Sequence, residues 1–407
     1  MCSPTLLPTS VAFGLISGSF LRRWFLLTSI AWLAFSAEAQ AVSPAPDGGY
    51  AGSNTAEGTS ALFSLTNGFN NTAIGFQALY HDTSGSNNTA VGLNALFNNT
   101  TGNFNLANGV QALFHNIGGS YNMANGIGAL FNNTTGSYNV ATGVNSLFNN
   151  TTGQGNTANG ISALHDNVDG SNNTATGFLA LNSNTSGGSN TANGVQVLNG
   201  NTTGAGNTGS GYHALFSNTT GRFNTANGIS ALFSNTTGSD NTATGDGALA
   251  FNTTADDNTA TGNGALLSNT TGFGNTANGA EALNSNTIGN GNTAVGSGVL
   301  LIIGESYFNT AVGYNALAGL NGPSESNIAL GASAGASLTT GTHNIDIGNT
   351  GVAGEGQTIR IGETGFQTAT YIAGIAGQTV GAGGATCVVD NAGKLGVFLS
   401  ARRFKTD

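Results

Sequence analysis

The seventeen residues from Asn224 to Asp240 read NTANGISALFSNTTGSD, and this repeating unit decides the fold. Its glycine, Gly228, belongs to a series that runs from Gly58 to Gly313 at every seventeenth position, sixteen times without an insertion or deletion. Self-similarity at a short fixed period is typical of a solenoid, in which one small structural unit is stacked many times. The sequence therefore predicts a rod, and its function is to be sought along its surfaces.

Each unit contains strand and turn signals. Proline is absent between Asp47 and Gly322, and the apolar segments between glycines are too short for helices. We expect Asn-Thr-Ala-x to form one strand, Ala-Leu-Phe to form a second, and Asn-Thr-Thr-Gly to form a turn. The predicted fold is all-β, a parallel β-solenoid of about sixteen coils over residues 54–322. Because stacked strands lie ~4.8 Å apart, this rod would be roughly 75–80 Å long.

Three columns of equivalent residues predict the interior of the rod. A small column begins at Ala56, and a leucine lies four residues after every glycine in the series, from Leu62 to Leu317. Facing small and large columns would fill a thin two-layer core. An asparagine opens every unit from Asn54 to Asn309, and amides in register can hydrogen-bond from coil to coil. We interpret these asparagines as structural.

The column after the leucines is aromatic in half of the units. In a strand these side chains would point away from the leucine face and form an exposed apolar stripe, which typically marks an interface. We expect the chain to form a homotrimer through this column, with a weaker contact where it lapses to His165, Asn182 and Asn199. Alternatively, a twisted second strand lets both columns share one core. The interface candidates are Phe63, Tyr80, Phe97, Phe114, Phe131, Phe148, Phe216 and Phe233.

Residues 1–41 carry the features of an export signal, followed by a linker at 42–53. Arg22-Arg23 precedes the apolar run from Trp24 to Phe35, and Ala37-Glu38-Ala39 is a small-x-small cleavage site. About 12 apolar residues fall short of the ~20 that span a bilayer, which disfavours a membrane anchor. The arginine pair also resembles a twin-arginine leader. We expect a secreted protein of the bacterial surface, associated with the outer membrane, whose mature chain does not insert into the membrane.

The composition excludes several classes of ligand. Only 6% of the residues are charged, the net charge is −10, and Arg222 is the only Lys or Arg between Trp24 and Ile359. A nucleic-acid ligand requires clustered cations, so it is not expected. His81 and His115 occupy equivalent places two coils apart, about 10 Å, which is too far for a shared metal. We expect no cofactor, no metal site and no disulfide at Cys387.

The repeat resembles the head repeats of trimeric autotransporter adhesins of the YadA type, as in Asn292–Gly296 and Asn309–Gly313, over about two-thirds of the chain. The resemblance implies a left-handed parallel β-roll in which three chains pack side by side and bind a host or matrix surface. This unit is longer than that of the family. The family also places an apolar residue before the glycine, toward the trimer axis. Here that position is apolar only near the ends of the repeat region, at Ile74, Val91, Val295 and Val312.

Beyond Pro323 the period breaks, and residues 323–399 predict a short β-rich stalk. Residues 370–396 resemble the stalk before a tail-fibre chaperone domain, and residues 400–407 resemble a truncated start of that self-cleaving domain, of the S74 peptidase family. The resemblance implies a cleavage dyad of Ser400 and Lys405, in which a neutral lysine amine takes the serine proton. A lysine at an open terminus stays protonated near pH 7. We therefore expect the dyad to be inert and the protein to have no enzymatic activity.

Three functions of different class fit these features. The first is a fibrous, adhesin-like protein that attaches the cell to an unidentified surface or matrix receptor. The second is a phage or prophage tail-fibre protein that has lost its self-cleaving chaperone. The third is binding to ice or another crystal surface by a flat ladder of Thr-x-Thr, as at Thr174/Thr176, Thr242/Thr244 and Thr259/Thr261.

Overall fold

The computed structural model describes residues 50–372 and two short strands beyond them, and every regular element in this part of the chain is a strand. The chain divides into two compact units, one that ends at Ile361 and one that begins at Gly362. The strands are β1 Thr55–Glu57, β2 Thr72–Ile74, β3 Thr89–Val91, β4 Leu106–Asn108, β5 Met123–Asn125, β6 Val140–Thr142, β7 Thr157–Asn159, β8 Thr174–Thr176, β9 Thr191–Asn193, β10 Thr208–Ser210, β11 Thr225–Asn227, β12 Thr242–Thr244, β13 Thr259–Thr261, β14 Thr276–Asn278, β15 Thr293–Val295, β16 Ser306–Tyr307, β17 Thr310–Val312, β18 Ser324–Glu325, β19 Ile328–Leu330, β20 Gly341–Thr342, β21 Ile345–Ile347, β22 Ile359–Ile361, β23 Cys387–Val389 and β24 Leu395–Val397.

Nineteen of these strands form one parallel sheet that confirms the predicted β-solenoid. Each strand pairs in register with the strand one coil later, as Thr225, Ala226 and Asn227 pair with Thr242, Ala243 and Thr244. In most of these strands the central residue is a buried alanine that points inward, whereas its two neighbours point outward. At ~4.8 Å per coil, eighteen intervals give a rod about 85 Å long. The left-handed sense of the coil stays a prediction.

The predicted second strand, Ala-Leu-Phe, is wrong, because this segment forms a turn. All sixteen leucines have a positive φ, between 50° and 54°. That conformation costs roughly 1–2 kcal/mol for a residue with a Cβ. Contacts with the next coil hold it in place: the Leu232 N–H donates to the Ala248 carbonyl at 3.0 Å, and the side chains from Leu79 to Leu317 are fully buried. The leucines therefore fill the core as predicted, but the chain around them does not alternate as a strand does.

The solenoid also continues past the boundary predicted at residue 322. Asn309 and Asn327 are linked as neighbours in the asparagine column although 18 residues separate them. Strands β19, β21 and β22 then extend the same sheet. A turn absorbs the extra residue without changing the strand register, so a break in sequence period is not a break in the fold. Much of the predicted stalk therefore belongs to the rod, while β23 and β24 form a separate antiparallel pair.

Two ladders of buried asparagines run along the rod. In the predicted ladder, Asn224 Nδ2 donates to the Gly238 carbonyl at 2.8 Å, and its Oδ1 accepts the Asn241 N–H at 3.1 Å, which confirms the structural interpretation. The second ladder consists of the asparagines of the Asn-Thr-Thr turns. There Asn116 Nδ2 donates to Asn99 Oδ1 at 2.7 Å. The turn asparagines thus join the coils as well as forming corners.

The alanine column ends in charged groups at the C-terminal end of the rod. Asp346 takes the inward place that Ala329 holds one coil earlier, and it pairs in register with Arg360. Arg360 forms an ion pair with Glu355, at 2.7 Å between Nη2 and Oε2. Burial, followed by the nearby Glu355 charge, raises the pKa of Asp346 to about 6, and Arg360 opposes the rise.

Near the other end, Asp82 occupies an asparagine position in the second ladder. Its Oδ1 accepts the Gly85 N–H at 2.9 Å and an amide N–H of Asn99 at 3.1 Å, whereas its Oδ2 is buried without a hydrogen-bond partner. Burial raises the pKa of Asp82 from 3.8 to about 6, and the two hydrogen bonds oppose the rise. An asparagine in this place would have no charge to bury.

We expect Asp82→Asn to stabilise the protein at pH 7.5 by about 2–3 kcal/mol and to leave it nearly unchanged at pH 3.5. Because the folded pKa of Asp82 lies above the unfolded value, its contribution to stability is fully present below about pH 4 and is lost as the pH rises through about 6. Urea unfolding followed by circular dichroism at several pH values measures the difference. Asp169→Asn, at an exposed turn, is the control. An equal effect of Asp82→Asn at both pH values would contradict the prediction.

Candidate functional site

The first seven coils, residues 54–172, differ from the later coils in two adjacent columns. The aromatic column consists of Phe63, Tyr80, Phe97, Phe114, Phe131 and Phe148, and it ends at His165. The polar column follows it by one residue and consists of Ser64, His81, Asn98, His115, Asn132, Asn149 and Asp166. In later coils the second position holds mostly Ser or Gly. The longer polar side chains are therefore confined to one half of the rod.

The aromatic column is a continuous ring stack. The centroids of Phe97 and Phe114 lie 5.1 Å apart with an angle of 5° between the rings, and Phe131 and Phe148 repeat this at 4.9 Å. Most of these rings are half-buried, and only Phe63, at the end, is 68% exposed. The column is thus neither the exposed stripe nor the shared core that the sequence suggested. Because neighbouring rings cover each other's faces, mainly ring edges are left to contact a partner.

A groove about 1090 Å³ in volume runs along these seven coils beside the polar column. Its other wall is the threonine column, two residues further along each coil. There Thr100 Oγ1 donates to the Ile117 carbonyl at 2.9 Å, and Thr134 and Thr151 make the same bond one coil on. The hydroxyl protons of this wall are therefore already used. The threonine column consists of Thr83, Thr100, Ile117, Thr134, Thr151 and Val168.

The polar column is itself linked by side-chain hydrogen bonds. Asn132 Nδ2 donates to Asn149 Oδ1, and Asn149 Nδ2 donates to Asp166 Oδ1, both at 3.0 Å. Asn98 Nδ2 lies 3.2 Å from His115 Nδ1. These bonds orient five of the seven side chains, in one pair, Asn98 with His115, and one group of three, Asn132, Asn149 and Asp166. Because these hydrogen bonds run parallel to the rod axis, the remaining N–H donors and oxygen lone pairs of the amides can face the groove.

A third column, missed by the sequence analysis, carries the most continuous exposed apolar surface. It follows the period glycine directly, and its ten side chains are 39–54% exposed. The apolar run ends at Asp246. A count of apolar residues at this one position in successive units could have revealed it. The glycine-flanking column consists of Phe76, Leu93, Val110, Ile127, Val144, Ile161, Phe178, Val195, Tyr212 and Ile229.

The outer face of the sheet carries the expected polar ladder only in part. Both outward positions of β8, β12 and β13 are exposed threonines. In β7, β9, β11 and β14 the second threonine is an exposed asparagine. The face is therefore regular in backbone spacing but mixed in side-chain chemistry.

The remaining predicted residues form no further site within the described chain. Ser400 and Lys405 lie outside the described residues, and the inertness of this pair stays a prediction. His81 and His115 do line one groove, with Asn98 between them. Across residues 50–372 and the two short strands, no group of three His, Cys, Asp or Glu side chains is placed to hold a metal ion. No helix long and apolar enough to cross a membrane occurs in the same residues.

Comparisons with family models, with curated proteins and with solved structures give no significant match. Functional assignment therefore depends on the geometry of the rod and on the sequence features described above.

Proposed function

We propose that this protein is a secreted, non-enzymatic fibre that lies on the bacterial surface and attaches the cell to other surfaces. The predicted export signal, the sparsely charged repetitive rod and the resemblance to adhesin head repeats support this function. The main structural evidence for this function is the glycine-flanking column, which exposes ten apolar side chains to water along one line. Contiguous apolar surface of this length typically marks an interaction site.

The partner that best fits this column is another copy of the chain, most simply in a trimer. Nine coil intervals of ~4.8 Å make the column about 43 Å long, and a straight partner with the same repeat can contact it throughout. Ten half-exposed side chains offer on the order of 700–800 Å² per chain, close to the ~800 Å² per partner of a stable interface. Association would convert the exposed column into a buried one.

The tail-fibre and crystal-binding functions remain alternatives with weaker support. A phage fibre assembles in the cytoplasm and needs no export signal. A crystal-binding face favours identical side chains, whereas asparagine interrupts the threonine ladder in many strands.

Gram-negative cells that express the full chain are expected to carry it outside, to attach to matrix-coated surfaces, and to yield cross-linked multimers. The triple variant Ile127→Asn/Ile161→Asn/Val195→Asn should reduce multimers and attachment at least tenfold, because three polar groups interrupt the apolar line. Asn263 already occupies this position in a later coil, so the substitution suits the fold. Protease accessibility, light scattering of purified protein and counts of attached cells measure the three properties.

The matched control is Phe97→Asn/Phe114→Asn/Phe131→Asn in the aromatic column. If only this variant dissociates, the interface predicted from sequence is correct and the glycine-flanking column is not the contact. Wild-type protein that is monomeric at micromolar concentration would refute self-association. Retention inside the cell would refute the proposed surface function.

A further inference from the structure

We propose that the groove of the first seven coils binds an extended, neutral polysaccharide. The inference deepens the proposed attachment function, on which it rests, by naming the ligand class. Three properties of the groove support it: its repeat, its hydrogen-bonding capacity and the absence of Lys and Arg from these coils.

The repeat of the groove suits a linear polymer. From Ser64 to Asp166 the polar column spans six coil intervals, about 29 Å at ~4.8 Å each. This spacing is comparable to the rise per sugar ring in an extended β-linked chain. One polar side chain therefore meets each ring, and about six rings fill the groove.

The polar column retains hydrogen-bonding capacity for hydroxyl groups. A side-chain amide has two N–H donors and an oxygen with two lone pairs. Asn132 uses one donor on Asn149, and Asn149 uses one donor on Asp166 and one lone pair on Asn132. Each amide thus keeps a donor and an acceptor lone pair, and a sugar hydroxyl can engage both. Ile117 and Val168 on the opposite wall offer apolar contact to the C–H groups of the rings.

Other polymers fit the groove less well. A peptide that adds as a strand needs free backbone N–H groups, but His81 N–H donates to Phe97 and Thr100 N–H donates to Ile117 one coil on. A polyanion needs cations, and no Lys or Arg occurs in these coils. A neutral chain with many hydroxyl groups needs neither free backbone N–H groups nor cations.

The later coils provide an internal comparison. At the position of the polar column the next four coils carry Ser183, Gly200, Ser217 and Ser234, which are too short to form a wall. Backbone spacing is unchanged there, so the side chains alone distinguish the two halves. Binding should therefore depend on the first seven coils and not on the repeat as such.

Calorimetric titration of the purified full chain with cellohexaose and with chitohexaose tests the inference. We expect at least one hexasaccharide to bind, with affinity that rises with oligomer length up to about six sugars and then levels off. Asn132→Ala/Asn149→Ala should weaken binding at least tenfold with an unchanged unfolding midpoint. Ser217→Ala/Ser234→Ala, at the same column positions, should leave the affinity unchanged.

Absence of binding of both hexasaccharides at millimolar concentration would overturn the inference, as would equal affinity in the two double variants. Tighter binding of an extended peptide or of a sulfated glycan would also overturn it. If cells still attach while neither sugar binds, the proposed attachment function is retained and the proposal that the groove binds a polysaccharide is wrong. If the sugars bind but cells expressing the protein do not attach, the groove binds a polysaccharide as proposed and the proposed attachment function is wrong.

Discussion

Gly143→Ala is expected to lower the free energy of unfolding by about 3–5 kcal/mol, a large effect for a single methyl group. Gly143 has a φ of 129°, which side chains with a Cβ rarely adopt. A Cβ built there would lie 2.6 Å from the carbonyl oxygen of Gly160, which is backbone of the next coil and cannot rotate away. The substitution therefore strains its own coil and forces two coils apart.

Gly274→Asn is the matched control for this prediction. Gly274 also has a positive φ, 66°, but a Cβ there would meet nothing within 4 Å. Asn172 holds the equivalent position in an earlier coil at a φ of 60°, and asparagine tolerates this conformation. We expect a change below about 1 kcal/mol for the control. Urea unfolding measures the free energy of unfolding of both variants. Similar losses in the two would refute the proposed clash.

Asn116→Ala is expected to destabilise the rod by about 3 kcal/mol or more, although it removes no apolar contact from the core. Asn116 is fully buried, and its Nδ2 donates to Asn99 Oδ1 and to the Gly119 carbonyl. Its Oδ1 accepts an N–H of Asn133 at 2.8 Å. Alanine leaves Asn99 Oδ1 buried without this donor, at a cost of about 1–3 kcal/mol, and removes one of two hydrogen bonds from the Gly119 carbonyl and from Asn133 Nδ2.

Asn98→Ala provides the comparison, because Asn98 is only half-buried and its side chain contacts a single polar partner, His115. We expect a loss below about 1 kcal/mol for this variant. Thermal unfolding followed by circular dichroism separates the two cases. A comparable loss at both positions would show that the second ladder contributes no more than a surface amide does.

The seventeen-residue period by itself determined the stacking of coils, the parallel sheet and the inward columns. Residues one period apart must occupy equivalent places, so the alanines and leucines had to form continuous columns, and Asn224 had to meet Asn241. Burial of the apolar columns then determined which side faces inward. These conclusions need only the spacing and the polarity of the residues.

The tertiary structure alone decided where the remaining side chains point. Leu113 adopts a left-handed conformation that its own sequence disfavours, and only hydrogen bonds and packing with the next coil make it favourable. A strand alternates its side chains, but a turn with positive φ does not, so the exposure of Phe114 could not follow from its place after a leucine. The same turn exposes the residue after each glycine and opens the groove beside His115. Local propensity carries no information on these choices, because stacking between coils supplies the free energy that settles them.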